Sequence, residues 1–144
     1  METDDRSAPC PAGSVADAFD DAVARVAGQP FLIVPRDPER GWLPDGASLT
    51  YHDAARAVDA LAGRYRAAGA GPGARVGLVA QTRPETVLHF LALNRLGASV
   101  VPLSPEATAP ELSYLLSHSG AQAAAGPSSA EARLREAGLA GPWI

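Results

Sequence analysis

The side chains best suited to chemistry are spread along this chain and do not form a recognisable constellation. The histidines fall on three predicted helices without the close spacing of a zinc motif, so packing or surface roles are favoured over metal ligation: His52, His89 and His118. No metal ligands are therefore predicted.

The serine and aspartate residues also give no indication of a catalytic site. Ser104, Ser117 and Ser119 lack the G-x-S-x-G elbow of a serine nucleophile. The neighbouring Asp20 and Asp21 fit a solvated helix face better than an acid–base pair. We therefore predict no catalytic residue within this chain.

Phosphate-binding loops are also disfavoured. The glycine-rich run GAGPG (residues 69–73) follows a predicted helix and precedes a strand, whereas a dinucleotide loop follows a strand and opens a helix. All 12 basic residues are arginines, which excludes a Walker loop and any mechanism that needs lysine.

Composition limits the partners. The chain has 144 residues, a net charge of −4 and one cysteine, Cys10. We expect no nucleic-acid binding and no disulfide framework, and we expect a reducing, cytoplasmic location. Residues 1–13 are predicted to be a disordered leader without a signal peptide, and no apolar run is long enough to span a membrane.

From residue 14 onward, helical and strand patterns alternate. Threonine or serine followed three residues later by an acidic residue predicts helix starts at Thr50, Thr82, Thr108 and Ser128. The expected elements are a helix over 14–27, a hairpin of 31–34 with 49–50, helices from 50 to 69, 82 to 97, 108 onward and 128 to about 137, and strands at 75–80, 98–103 and, more weakly, 121–125.

Short apolar strands alternating with helices predict an α/β fold, in which a parallel sheet carries helices on both faces. Ligands bind such sheets beyond the carboxyl ends of the strands, so the candidate binding residues are Gln81, Thr82, Arg83, Ser104 and Ser128. The alternative is that Thr82, Thr108 and Ser128 only cap helices. Arg83 is the candidate that we would test first.

Several segments together resemble a known family. They are LTY (49–51), GPGARVGLV (71–79), LNRLG (93–97), GASVVPLSP (97–105) and T-x-x-E-L-x-Y-L-L (108–116) followed by HSGAQ. In this order they resemble the N-terminal subdomain of adenylate-forming (AMP-binding) enzymes, most closely acyl-CoA synthetases. Asp53-Ala54 and Ala74 depart from the usual pattern without disturbing it.

The resemblance implies ligase chemistry, in which a carboxylic acid and Mg-ATP give an acyl-adenylate and CoA then displaces AMP, as in fatty acid metabolism. In the family this depends on a lysine-containing phosphate loop, a later acidic motif and a C-terminal lysine. The cofactors ATP, Mg and CoA are therefore expected of a full-length enzyme and not of this chain alone, and the matching residues are structural markers.

Two hypotheses follow. In the first, residues 14–144 are the N-terminal portion of an acyl-CoA synthetase, ending before the phosphate loop and inactive alone. In the second, the chain is a stand-alone, non-catalytic binding or assembly module. An exposed sheet edge would allow self-association in either case.

Overall fold

The computed structural model describes residues 13–144, so most of the predicted leader and Cys10 lie outside the described residues. In chain order the elements are α1 (Val15–Val26), β1 (Pro30–Val34), β2 (Ala47–Thr50), α2 (Tyr51–Ala67), β3 (Arg75–Val79), α3 (Pro84–Arg95), β4 (Ser99–Leu103), α4 (Ala109–Ser119), β5 (Ala123–Ala125) and α5 (Ser128–Glu136). None of these helices is long and apolar enough to cross a membrane.

The strands form two sheets. β1 and β2 pair as an antiparallel hairpin, as predicted. β3, β4 and β5 form a parallel sheet in the order β4-β3-β5, with Gly77 opposite both Val101 and Ala124. A Cβ at Gly77 would lie 2.9 Å from the Leu103 side chain and 3.4 Å from the Ala124 Cβ, so the central strand leaves little room for a side chain there.

Each face of the parallel sheet carries its own apolar core, which confirms the predicted α/β fold with helices on both faces. The larger core joins β3 to α1, α2 and α3 and includes Tyr65 and Leu93. The smaller one joins Leu103 and Ala124 to α4 and α5. Alternate residues along the strands supply the two cores because successive side chains point to opposite faces.

The predicted helix starts have mixed outcomes. Thr108 caps α4 in a complete capping box with Glu111, as expected. Thr50 caps α2, but its hydroxyl, and not its backbone amide, donates to Asp53. The predicted caps Thr82 and Ser128 are wrong: the N-cap residues of α3 and α5 are Arg83 and Pro127, and neither makes a side-chain capping bond.

The two edges of the parallel sheet differ. Beside β5, the amide of Ala124 donates to the carbonyl of Pro142 and the amide of Ile144 donates to that of Ala124, both at 3.0 Å. On the other side, β4 pairs only with β3 among the described residues. β4 also contains Pro102, which has no amide hydrogen to offer a further strand.

Asp20 has a more specific role than the predicted solvated face. Arg95, at the end of α3, forms ion pairs with Asp20 of α1 and Asp59 of α2. The two carboxylates are half exposed or more, so we treat the cluster as an orienting contact between three helices and not as a major source of stability.

Candidate functional site

A small crevice lies beyond the carboxyl ends of β3 and β5, beside the first turns of α3. It encloses about 240 Å³. Its polar lining residues are Gln81, Arg83, Glu85, Thr86 and His89. This is the location that the sequence predicts for a ligand in an open parallel sheet.

The turn after β3 fixes this polar group. The carbonyl of Gln81 accepts hydrogen bonds from the Arg83 amide (2.8 Å) and the Thr86 hydroxyl (2.6 Å). Arg83 then adopts an extended backbone, as residues before proline usually do, and α3 begins at Pro84. The Arg83 side chain is therefore held near the crevice by the start of the helix.

His89 reaches the same crevice from the second turn of α3. Its Nδ1 lies 2.7 Å from the hydroxyl of Tyr65, and the two rings meet edge to face with centroids 5.7 Å apart. Tyr65 is fully buried beneath it. The hydrogen bond therefore ties a crevice residue to the core of α2.

The environment determines the protonation of this pair. Burial raises the pKa of the Tyr65 phenol, and burial, assisted by the charge of Arg64, lowers the pKa of His89. Both groups are thus neutral at pH 7. The Tyr65 O–H has no other partner among residues 13–144, so it donates to Nδ1 of His89 and the imidazole proton resides on Nε2.

A larger, mainly apolar cavity of about 570 Å³ adjoins the crevice, between the β1–β2 hairpin and the start of α3. Trp42 lies in its wall, with the guanidinium of Arg40 5.1 Å and that of Arg83 4.9 Å from its ring centroid. Both distances are typical of cation–π contacts. Arg83 lines both spaces.

The structure brings together only some of the predicted binding residues. Gln81 and Arg83 line both spaces, and Thr82 lines the larger one. Ser104 lines a separate cavity of about 660 Å³ beside α4. Ser128 is the first residue of α5. The candidate site is therefore built around β3 and α3.

The sequence predicted a packing or surface role for His89, and it predicted neither its partner nor its place in the crevice. Tyr65 and His89 are 24 positions apart and lie on different helices, so no local pattern signals their contact. Trp42 lies between the two predicted strands of the hairpin, and no binding role was predicted for it. Its distance from Arg83 along the chain hides the cation–π contact.

The geometry has one evident chemical capacity. His89, with its neutral imidazole, and Arg83 line one small space, so the crevice can bind an acceptor group or an anion. Among residues 13–144 there is no cluster of three His, Cys, Asp or Glu side chains that could hold a metal ion.

Known proteins share this architecture. A sequence model of the family described as AMP-binding enzyme matches residues 19–140. The chain belongs to the AMP-binding enzyme family. The predicted resemblance to adenylate-forming enzymes is thereby confirmed.

Curated relatives of this AMP-binding chain include two kinds of synthetase. Feruloyl-CoA synthase from Amycolatopsis sp is 40% identical over 76 residues, which are 53% of this chain and 16% of that protein. Tyrocidine synthase 3 from Brevibacillus parabrevis is 35% identical over 74 residues, which are 51% of this chain and 1% of that protein. The AMP-binding chain thus spans a small part of the relatives it matches.

A solved structure agrees on the fold. The N-terminal subdomain of Klebsiella oxytoca NpsA, in complex with anthranilyl-AMSN, aligns with a TM-score of 0.74 and 24% identity over 91% of the AMP-binding chain and 30% of that subdomain. The α/β fold described above is therefore that of part of an adenylate-forming N-terminal subdomain.

Proposed function

We propose that this chain supplies the first portion of the N-terminal subdomain of an acyl-CoA synthetase. The complete enzyme would convert a carboxylic acid and Mg-ATP to an acyl-adenylate and pyrophosphate, and CoA would then displace AMP to form the thioester. The observation that carries the proposal is the 40% identity to a feruloyl-CoA synthase of which the chain spans 16%. A cytoplasmic location is part of the same proposal.

Within that enzyme, these residues would act as scaffold. The described residues do not fit a Mg-ATP site, because no three metal-binding side chains cluster and the glycine run at 69–73 leads into β3 instead of opening a helix. The chain also has no lysine. We therefore assign no chemical step to this chain, and we expect it to be inactive alone.

The acyl group is left open by this proposal. The expectation of fatty acid metabolism has no counterpart in the relatives described above, whose names refer to feruloyl-CoA and to tyrocidine. An aromatic acid is the first substrate to test, since feruloyl-CoA synthase combines the higher identity with CoA-ester formation in its name.

A graft tests the scaffold role. Residues 14–144 would replace the corresponding segment of Amycolatopsis feruloyl-CoA synthase, and ferulate-dependent ATP–pyrophosphate exchange would be measured. We expect exchange from the grafted enzyme and none from the 144-residue chain alone. Exchange by the chain alone, or a folded graft that binds ATP and ferulate without exchange, would contradict the proposal.

The second candidate is a non-catalytic binding or assembly module. It is favoured by the open edge of β4 and by exposed apolar side chains close to it, Val87 and Phe90, which are 38% and 40% exposed. Such a surface promotes association. A concentration-dependent dimer in sedimentation, together with a stop codon after Ile144 in the native gene, would favour this candidate over the first.

A further inference from the structure

We propose that the crevice beyond the carboxyl end of β3 binds a small oxyanion, a carboxylate or a phosphate group, held by Nε2–H of His89 and the guanidinium of Arg83. The site lies wholly within this chain. Its test therefore does not depend on the proposed enzyme activity.

The first step of the argument concerns the hydrogen-bond donor. Tyr65 occupies Nδ1 of His89, which leaves Nε2 as a donor. Nε2 has no partner within residues 13–144, and it is not among the enclosed atoms that lack one. It therefore faces open space, and His89 lines the crevice. A buried tyrosine orients this donor without itself reaching the ligand.

The second step concerns charge. No carboxylate among residues 13–144 lies within ion-pair distance of Arg83, which is held over Trp42 instead. The charges of Arg64 and Glu85 also act on His89. Arg83 lines the same crevice as Glu85, so its guanidinium charge offsets that carboxylate and favours an anion there.

The third step concerns size. Gly126 and Val79 both line the crevice, and an added Cβ at Gly126 would lie 2.8 Å from the Cβ of Val79, so this wall has no room for a further side chain. The volume of about 240 Å³ is below the ~300 Å³ at which pockets for drug-sized ligands begin. The crevice suits a carboxylate or phosphate group and not a whole nucleotide.

NMR titration of the full chain tests the proposal. Acetate and inorganic phosphate would each be added at constant ionic strength, with chloride as the control, while the His89 ring and the Gly126 amide are followed. We expect saturable shifts with at least one oxyanion and none with chloride. Acetate and phosphate distinguish the two possible sources of the oxyanion. Linear, unsaturated responses to both, in a chain with a dispersed spectrum, would overturn the proposal.

Four variants sharpen the result. Arg83→Gln should raise the dissociation constant about fivefold. The double variant Tyr65→Phe/His89→Phe should raise it about tenfold, because each variant removes a donor to a charged ligand. The double variant is used because it leaves no buried hydroxyl without a partner. Glu85→Gln should tighten binding about threefold by removing a repelling charge. Arg56→Gln, the same charge change at an exposed position on α2, should have no comparable effect.

These variants distinguish a specific anion-binding site from a general attraction of anions to the charge of the protein. If Arg56→Gln weakens binding as much as Arg83→Gln, the response reflects net charge and the proposal is wrong. Binding unaffected by the Tyr65/His89 double variant would exclude the imidazole as the donor and overturn the proposal equally.

Discussion

The helices α3 and α4 begin with almost the same residues, TRPE and TAPE, and they begin differently. In α4, Thr108 is the N-cap and exchanges hydrogen bonds with Glu111. In α3, the helix starts one residue later in the motif, so Thr82 lies outside it and Glu85 faces a crevice. The same motif is thus a structural cap in one place and part of a candidate binding site in the other.

The length of the preceding connection explains the difference. Two residues, 80 and 81, separate β3 from TRPE, whereas four residues, 104–107, separate β4 from TAPE. The short connection forms its turn with the Gln81 carbonyl, which binds the Arg83 amide and so holds the motif in the turn. The longer one makes its turn around Ser104 and leaves Thr108 available to cap.

The largest losses of stability are expected from core substitutions, and they should be similar in the two helices, which differ only at their starts. Leu93 of α3 and Leu112 of α4 are each almost fully buried, so Leu93→Ala and Leu112→Ala should each cost about 3 kcal/mol of unfolding free energy. Urea denaturation measures this. The partly exposed Val87→Ala is the control and should cost less than about 1 kcal/mol. A small effect at Leu112 alone would mean that α4 is loosely packed.

Tyr65→Phe tests the support beneath the α3 site. It removes the donor to His89 while keeping the ring, and we expect a loss of about 1 to 2 kcal/mol because Nδ1 of His89 loses its partner. The double variant Tyr65→Phe/His89→Phe should recover part of this loss. A double variant less stable than the single one would argue against the hydrogen bond as the cause.

The two threonines provide the direct comparison. Thr108→Ala should destabilise the chain by about 1 kcal/mol, since it removes the hydroxyl that accepts from the Glu111 amide, whereas the bond from the backbone amide of residue 108 to the Glu111 carboxylate does not need the threonine side chain. Thr82→Ala should change the unfolding free energy by less than about 0.5 kcal/mol, because Thr82 caps nothing. Thermal unfolding of both variants under one buffer condition checks this, and equal losses would remove the distinction between the two starts.

Low pH should reduce the stability of the chain through His89 of α3. Burial lowers its pKa below the ordinary value of 6.5, so the unfolded chain takes up a proton that the folded chain does not. The free energy of unfolding is therefore highest above about pH 6.5, where the unfolded chain gains nothing from protonating His89. It decreases as the pH falls below that value toward the lowered pKa. Denaturation at pH 7.5 and 5.5 should show this loss in the native chain and in His118→Gln, but reduced in the Tyr65/His89 double variant.

The smallest expected effect is that of Arg83→Ala. Arg83 is exposed and its backbone, not its side chain, starts α3, so the unfolding free energy should change by less than about 0.5 kcal/mol. Calorimetry provides the measurement. A loss well above ~1 kcal/mol would show that the contact with Trp42 is structural, and would weaken the assignment of Arg83 to ligand binding.

The fold was predictable from the sequence because its signals are local. Apolar spacing indicated the helices, short apolar runs indicated the strands, and Gly97 ends α3 with the left-handed backbone (φ 70°) that such a glycine permits. The capping motif at Thr108 was also sufficient, because the four-residue connection from β4 turns around Ser104 and leaves Thr108 in position to cap.

The candidate site was only partly predictable. Gln81 and Arg83 were identified from the rule that ligands bind beyond strand ends, which needs only the order of elements. Thr82 failed as a cap because the choice depends on the length of the connection from β3. The Tyr65–His89 and Arg83–Trp42 contacts join distant segments, and they depend on how α2 and the β1–β2 hairpin pack around α3.

The strand order β4-β3-β5 also has a consequence for synthesis on the ribosome. The central strand is the first of the three to be translated, so each later strand can add to an edge that already exists. No strand has to be inserted between two others, and a partly synthesised chain can begin to form its native sheet. If the strands assemble in the order of their translation, each new edge is exposed to other nascent chains only until the next strand has been made.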